Sequence, residues 1–482
     1  MAAIRFLLNG QWCSEDSVPP TMTVLDYLRT VRRLTGTKEG CAEGDCGACT
    51  IMVGRREEGR LRYDAVNSCL MLVPQLEATA VVTVEGLTAP DGALHPVQHA
   101  LLEADATQCG FCTPGFAMAM AAFQHGGEPA RDELIHEALA GNLCRCTGYR
   151  PIVDACRGVA GGALDHLAER ARADAAGLAG LSPIAEYRQG EQCFYFPHTL
   201  PELARLVKQH PEAQLWAGGT DLGLVVAKER RWSPALIATS FVPELKRITV
   251  GPDWIEFGAA VTYSEALPYF DVSFPALGAV VRRLGSRQIR NLGTMAGNLA
   301  TASPIGDTIP CLFALDAAVV VRSIAGARPR TMEKFITGYR RTSLAPGEFI
   351  ESIRLPRLVQ PQQFHAFKLS KRFDQDIAAV TAAFRIALAD GVVQSLRAAF
   401  GGMGPTAKRA TAVEEAIIGQ PWTASTLAGI DQALARDFAP MDDHRGSAAY
   451  RLRAAANLLR RLQIETARPD LAGVAPLRLE AL

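Results

Sequence analysis

Cysteine spacing constrains this chain more than any other feature. Cys41, Cys46 and Cys49 stand as C-x4-C-x2-C, and Cys69 follows at a distance. That is the spacing of plant-type [2Fe–2S] ligation, in which each iron takes two thiolates. A loop wrapped around such a group needs small residues, and Gly40, Gly44, Gly47 and Ala48 supply them. Zinc favours paired C-x2–4-C ligands, so three cysteines in one loop with a lone fourth fit it poorly. Cys13 lies outside the loop and reads as a passive thiol.

A second constellation follows. Cys109 and Cys112 form C-x2-C, and Cys144 and Cys146 form C-x-C. Two pairs of cysteines are compatible with zinc, although C-x-C is tight for it. A second [2Fe–2S] centre at helix ends, beside the first, is the favoured alternative.

Ten of the twelve cysteines precede residue 157, which suits metal ligation better than a disulfide framework. Cys156, Cys193 and Cys311 read as ordinary thiols. The 482 residues suggest about three domains. With 48% apolar residues, the chain can bury cores, and disorder as its main character is excluded. Fifty basic residues balance fifty acidic ones, which argues against nucleic acid as a partner. No apolar run has the ~18 residues needed to span a bilayer, and the N-terminus lacks a signal-peptide pattern. The expectation is a cytoplasmic protein without a membrane partner.

Along the chain, Ile4 to Leu8 and Asn9-Gly10 predict a β-hairpin. A helix carrying Leu25, Leu28 and Leu34 on one face comes next, then the cysteine loop and a strand from Thr50 to Val53. A further β-branched run spans Ala80 to Val84. Helices are predicted over His95–Leu102, Gly115–Phe123 and Asp132–Leu139. Residues 158–185 read as a linker with some helical character. Mixed α/β texture follows, with strands at FYFP, QLWAGG, ALIATS, WIEFGAAV, AAVVVRS and FIESIRLP. Two strands then meet at Asp390-Gly391, and a helix runs from Ala448 to Thr466.

No GxGxxG follows a strand, so a Rossmann nucleotide site has no support. LWAGGTDLGL instead reads as strand, glycine turn and helix start, with Thr220 or Asp221 as cap. Such a turn can hold a pyrophosphate, but by itself it is more often only a turn. Arg287 to Pro310 is dense in small and hydroxyl residues and reads as a segment able to wind backbone and hydroxyls around a polar cofactor, since an ordinary polar loop of that length would be wasteful in a globular core.

GTKEGCAEGDCGACT, QCGFCTPGF and GNLCRCTGYRPI closely resemble the iron–sulfur domains of molybdenum hydroxylases, the family of xanthine dehydrogenases, aldehyde oxidases and carbon monoxide dehydrogenases. The resemblance implies that Cys109, Cys112, Cys144 and Cys146 hold a second [2Fe–2S] cluster. It also nominates Gln108 for contact with the partner's pterin. LWAGGTDLGL, the stretch from Arg287 to Pro310 and FKLSKRFDQDIAAV resemble the family's flavin domains. By that resemblance the FAD candidates are Leu215, Ala217, Gly218, Gly219, Thr220, Asp221, Leu222, Leu284, Thr294, Gly297, Asn298, Thr301, Ser303, Asp307, Ile350 and Lys368. The alternative reading of Asp307 and Lys368 is a structural ion pair or solvated charges. Leu284 stands where animal members carry Phe, so aromatic stacking there is lost or supplied elsewhere.

The implied fold class is multidomain α+β. It comprises a β-grasp ferredoxin domain (1–86), a helical-bundle [2Fe–2S] domain (87–160), a linker (161–185), a non-Rossmann α/β FAD domain (186–358) and an α+β C-terminal flavoprotein domain (359–482). Two clusters and a flavin form an electron wire that can end at NAD+. The chain is too short for the family's molybdenum domain. A molybdopterin-binding large subunit is therefore implied, in a heterotetramer of two small and two large chains. The fused order resembles the small subunits of bacterial xanthine dehydrogenases, with no substrate-binding catalytic residue in this chain. The alternatives are the same subunit of an aldehyde or heteroaromatic hydroxylase, a stand-alone iron–sulfur flavoprotein reductase, and a zinc-stabilised interaction protein.

Overall fold

The computed structural model describes residues 2–159, 161 and 165–467. Residues 160 and 162–164 of the expected linker, and 468–482 of the C-terminal segment, lie outside the described residues. The chain divides into two compact units. The first comprises Met1–Lys246, Ala260–Glu265 and Gly285–Thr294; the second comprises Arg247–Ala259, Ala266–Leu284 and Met295–Leu482.

The first unit begins with a five-stranded sheet of β1 (Ile4–Leu8), β2 (Gln11–Glu15), β3 (Thr50–Glu57), β4 (Arg60–Asn67) and β5 (Ala80–Val82), in the order β2-β1-β5-β3-β4. β1 and β5 run parallel, as a β-grasp requires. The sheet is covered on both faces, which explains its nearly continuous apolar runs. Alternation sends Leu7, Met52, Tyr63 and Val82 into one core and Phe6, Ile51, Val53 and Val81 into another.

The expected helix through Leu34 is shorter than predicted. A turn at Val24–Asp26 passes into a π-helix at Tyr27–Val31, where the Arg32 N–H bonds to the Tyr27 carbonyl, and Leu34 lies beyond it. β4 has no counterpart in the predicted elements; its alternating charged residues hide the apolar face set by Leu61, Tyr63 and Ala65.

The bundle helices span Pro96–Glu103, Thr113–His125, Asp132–Leu139 and Arg150–Val159. Thr113–His125 is buried almost all round and forms the centre. Arg150–Val159 goes unpredicted because its Pro and Gly read as breakers. Pro151 lies in the first turn, where it is tolerated, and Ile152, Ala155, Cys156 and Val159 bury one face. Much of the linker is a fifth helix, His166–Ala179, which buries Leu167, Ala171, Ala175 and Leu178 in the same core.

A second sheet completes this unit. It contains β6 (Glu186–Gln189), β7 (Gln192–Tyr195), β8 (Gln214–Trp216) and β9 (Ala235–Ala238), in the order β6-β7-β9-β8. Here β9 lies parallel to both β7 and β8.

The second unit holds an antiparallel sheet of β10 (Ile248–Val250), β11 (Trp254–Gly258), β12 (Ala318–Ser323), β13 (Gly326–Thr331) and, past the short pair β14 (Ile336–Gly338) and β15 (Arg341–Thr342), β16 (Phe349–Pro356). A further antiparallel sheet contains β17 (Gln362–Leu369), β18 (Val380–Ala389), β19 (Val392–Gly401) and β20 (Lys408–Arg409). Its apolar face packs against the helix Ala448–Ala467. The predicted hairpin at Asp390-Gly391 joins β18 to β19.

Candidate metal centres and flavin residues

The loop between residues 36 and 49 carries three of the first four thiols, and Cys69 enters just after β4. The Cys41 and Cys46 thiols hydrogen-bond to each other, as do those of Cys49 and Cys69. Backbone N–H groups of Glu43, Asp45 and Cys46 point at Cys41 Sγ from 3.4, 3.4 and 3.3 Å. The Cys41 N–H points at Cys46 Sγ from 3.3 Å. The Cys46 thiol contributes most to holding Cys41 down to about 5, joined by these N–H groups and opposed by burial. A loop that turns its amides inward onto sulfur stabilises thiolate, the form that ligates metal. Gly40 is needed at close range, because a Cβ there would lie 2.6 Å from Cys46 Sγ. Asn67 is wholly buried and directs its Nδ2 at Cys49 Sγ from 3.8 Å.

The second set is assembled by the bundle. Cys112 is the N-cap of Thr113–His125, and the C-x-C pair lies between Asp132–Leu139 and Arg150–Val159. Cys146 Sγ is 3.7 Å from Cys109 Sγ and 3.8 Å from Cys144 Sγ. The Cys112 thiol hydrogen-bonds to that of Cys144, so all four sulfurs are linked. Burial, and then Cys144, pushes Cys112 up to about 12. At Cys144 burial acts upward, but the Thr147 hydroxyl and N–H outweigh it and hold the thiol down to about 6. Both sets are all-sulfur donor sets with inward-facing amides or hydroxyls, and both fit iron–sulfur clusters. Cys109 is exposed, and Gln108 is exposed beside it. Cys13, Cys156, Cys193 and Cys311 are buried free thiols outside both sets.

The flavin candidates divide between the units. In the first, Leu215 lies in β8, and Ala217 to Asp221 form the turn before a helix of only six residues, Leu222–Ala227. Asp221 occupies the N-cap position, but neither it nor Thr220 caps by side chain. Two buried donors of this region, the Trp216 indole N–H and the Thr239 hydroxyl, have no protein partner among the described residues. Such orphans fit a polar cofactor. Thr294 is buried and bridges to Thr262.

In the second unit, the Thr301 hydroxyl donates to the Asn298 carbonyl at 2.8 Å, and Asn298 Oδ1 accepts from Thr308 at 2.8 Å. The Ser303 hydroxyl accepts from the Ile305 N–H. Gly297 and Leu284 are half-buried, and Ile350 is buried in β16. Lys368 Nζ and Asp307 Oδ2 form an ion pair, joined by the Thr381 hydroxyl, as in the alternative reading of these two residues. Burial pushes the Asp307 carboxyl up, against Lys368 and Thr381. The Arg283 guanidinium donates to the carbonyls of Lys368 and Phe373 and to the Ser370 hydroxyl.

Arg287 to Pro310 is not an ordinary polar loop. It folds as helical turns at Arg287–Arg290 and Met295–Ala300, then enters a helix at Ile309. Capping by the Ser286 hydroxyl on the Ile289 N–H starts the first. Gln288 and Arg290 are buried, and Arg290 pairs with Glu137 at 2.8 Å. Nothing in the sequence pattern singles out Asn67 or Arg283, whereas Asn142 and Thr147 lie within GNLCRCTGYRPI and Gln288 lies within the stretch from Arg287 to Pro310.

Residues 6–74 match the 2Fe-2S iron-sulfur cluster binding domain, and residues 83–157 match the [2Fe-2S] binding domain. Residues 187–358 match the FAD binding domain in molybdopterin dehydrogenase, and 365–466 the CO dehydrogenase flavoprotein C-terminal domain. The xanthine dehydrogenase of Drosophila pseudoobscura is 35% identical across 86% of this chain, which covers 35% of that protein. Aldehyde oxidase 2 of Cavia porcellus is 30% identical across 88% of the chain, covering 36% of that protein. The chain thus spans about a third of the length of these curated relatives. Among solved structures, a carbon monoxide dehydrogenase chain from Hydrogenophaga pseudoflava superposes with a TM-score of 0.53 at 26% identity. That match covers 56% of this chain and 94% of the other. A chain of quinoline 2-oxidoreductase from Pseudomonas putida gives 0.53 at 25% identity, covering 57% and 95%. With both iron–sulfur domains and both flavin domains present in one order, the chain belongs to the molybdenum hydroxylase family.

Proposed function

We propose that this chain is the electron-transfer small subunit of a xanthine dehydrogenase. A molybdopterin-bearing large subunit hydroxylates hypoxanthine and xanthine, and electrons leave through this chain to NAD+. The observation that carries the reading is likeness to xanthine dehydrogenases across 86–90% of the chain, spanning all four domains. Cys109, Cys112, Cys144 and Cys146 would hold the cluster nearer the partner, with Gln108 at the pterin. Cys41, Cys46, Cys49 and Cys69 would hold the other. The flavin candidates of each unit are assigned to FAD. When bound, the clusters carry single electrons and the flavin delivers them in pairs as hydride. The chain's own part is to hold thiolates in amide-lined loops and to keep the Asp307–Lys368 pair dry. A cytoplasmic heterotetramer of two small and two large chains completes the proposal.

A second reading, the same subunit of an aldehyde or heteroaromatic hydroxylase, draws on the aldehyde oxidase and quinoline oxidoreductase matches. The test starts with visible spectra and iron and flavin analysis of the purified chain. Two clusters and one FAD per chain, bleached by NADH, support the electron-transfer reading. Zinc in a colourless protein overturns it. Co-purification with the molybdenum-containing chain, then turnover of hypoxanthine but not benzaldehyde or quinoline, supports the purine assignment. The opposite preference replaces it with the second reading.

A further inference from the structure

The two cysteine loops meet directly within the first unit. The Leu143 N–H donates to the Cys46 carbonyl at 2.9 Å, which joins a residue of the first set to the neighbour of Cys144. Beside this bond, the fully buried Asn142 uses both ends of its amide. Its Nδ2 donates to the Gly47 carbonyl at 2.9 Å and lies 3.3 Å from the Thr50 hydroxyl. Its Oδ1 accepts from Gln288 Nε2 at 2.8 Å. Gln288 is itself fully buried, and its Nε2 also lies 3.3 Å from Thr50 Oγ1. Gly47 makes the approach feasible. Its φ is +69°, and a Cβ there would lie 2.1 Å from the Gly141 carbonyl.

Asn142 has both amide ends engaged and so one orientation, while Gln288 is held by its Nε2 alone, its buried Oε1 having no partner among the described residues; each broken bond leaves a desolvated polar group behind. The contacts join three stretches that are far apart in sequence. They meet where the two thiol loops are hydrogen-bonded to each other. We propose that Asn142 and Gln288 are positioning residues that lock the two cysteine loops at a single separation for one-electron exchange. This rests on both sets carrying [2Fe–2S] clusters. The exchange itself oxidises one centre and reduces the other, with no bond made and no proton moved.

The test is electron paramagnetic resonance of the fully reduced holoprotein, which reads the spin–spin interaction between the two centres independently of turnover. Gln288→Leu and Gln288→Met keep the side-chain volume and remove the donor to Asn142. Arg287→Gln is the control, because it breaks the Arg287–Glu128 ion pair of the same segment and leaves the Asn142 contact intact. The expected result is a wild-type splitting retained in Arg287→Gln and reduced or heterogeneous in both Gln288 variants at full iron content. If Gln288→Leu loads poorly, Gln288→Met supplies the comparison, and Asn142→Leu supplies it if both do. An unchanged splitting in a fully loaded Gln288 or Asn142 variant overturns the inference. Wild-type protein without two [2Fe–2S] signals overturns the cluster reading instead.

Discussion

Lys368 Nζ lies 2.6 Å from Asp307 Oδ2, and both side chains are buried among the residues of the second unit. Removing one partner leaves the other charge desolvated, which is far worse than never having the pair. Lys368→Met is expected to lower stability by roughly 3–5 kcal/mol. Lys368→Met combined with Asp307→Asn is expected to recover part of that loss. Chemical denaturation of the two variants checks both.

Asp165 joins the linker helix to the bundle. Its Oδ1 caps the Leu167 and Ala168 N–H groups at 3.0 Å, and its Oδ2 takes His125 Nε2 at 2.8 Å and also His95 Nε2. His95 Nδ1 accepts the Val97 N–H, which places the ring proton on Nε2, facing Asp165. Burial acts to raise the Asp165 carboxyl, but the His125 and His95 bonds outweigh it and hold it far below the carboxylate range. A depressed folded pKa gives stability that is complete above the unfolded value, about 4, and is lost as pH falls below it. Asp165→Ala is expected to lose about 2 kcal/mol at neutral pH. The variant should also lose part of the wild-type slope below pH ~4. Unfolding curves across pH 3–7 check both statements.

Asn67 directs an amide N–H at Cys49 Sγ. Hydrogen bonds to cluster sulfur favour the reduced, more negative state and so raise the potential. Asn67→Leu is expected to lower the potential of the first centre and leave the second unchanged. A redox titration followed by paramagnetic resonance resolves the two centres separately.

Gly47→Ala would place a methyl group 2.1 Å from the Gly141 carbonyl at a left-handed φ. The backbone conformation alone costs about 1–2 kcal/mol, and the overlap requires the loops to part. The expected result is reduced iron loading with flavin retained, read from the iron-to-flavin ratio.

Cys109→Ser removes one exposed ligand candidate from the second set and none from the first. Iron content is expected to fall by half, with the flavin absorbance and the first centre's signal unchanged. Loss of both signals would mean that the two sets are not independent.

Much of the candidate site was legible without coordinates. The eight cysteines, the Asn9-Gly10 and Asp390-Gly391 hairpins and the strand at FIESIRLP all stand where local pattern places them. Hairpin turns and cluster loops depend on residues close in sequence, so spacing alone reveals them. The errors share a cause as well. Arg150–Val159 looks broken in sequence, and the linker expected to have some helical character holds a full helix at His166–Ala179; both helices gain stability from apolar faces packed into the bundle. Arg287–Arg290 is mostly polar in sequence, yet Gln288 and Arg290 are buried, with Gln288 Nε2 donating to Asn142 and Arg290 to Glu137.

The sequence by itself therefore determined which cysteines group into two candidate sets and in what order the matched domains run, since thiol spacing is a local pattern. Only the tertiary structure decided which polar residues attend those sulfurs. Asn142 and Gln288 are 146 positions apart, and Asp165 and His95 are 70 apart. A hydrogen bond between residues that far separated leaves no periodicity or spacing in the chain. It exists only once burial has removed water as the competing partner.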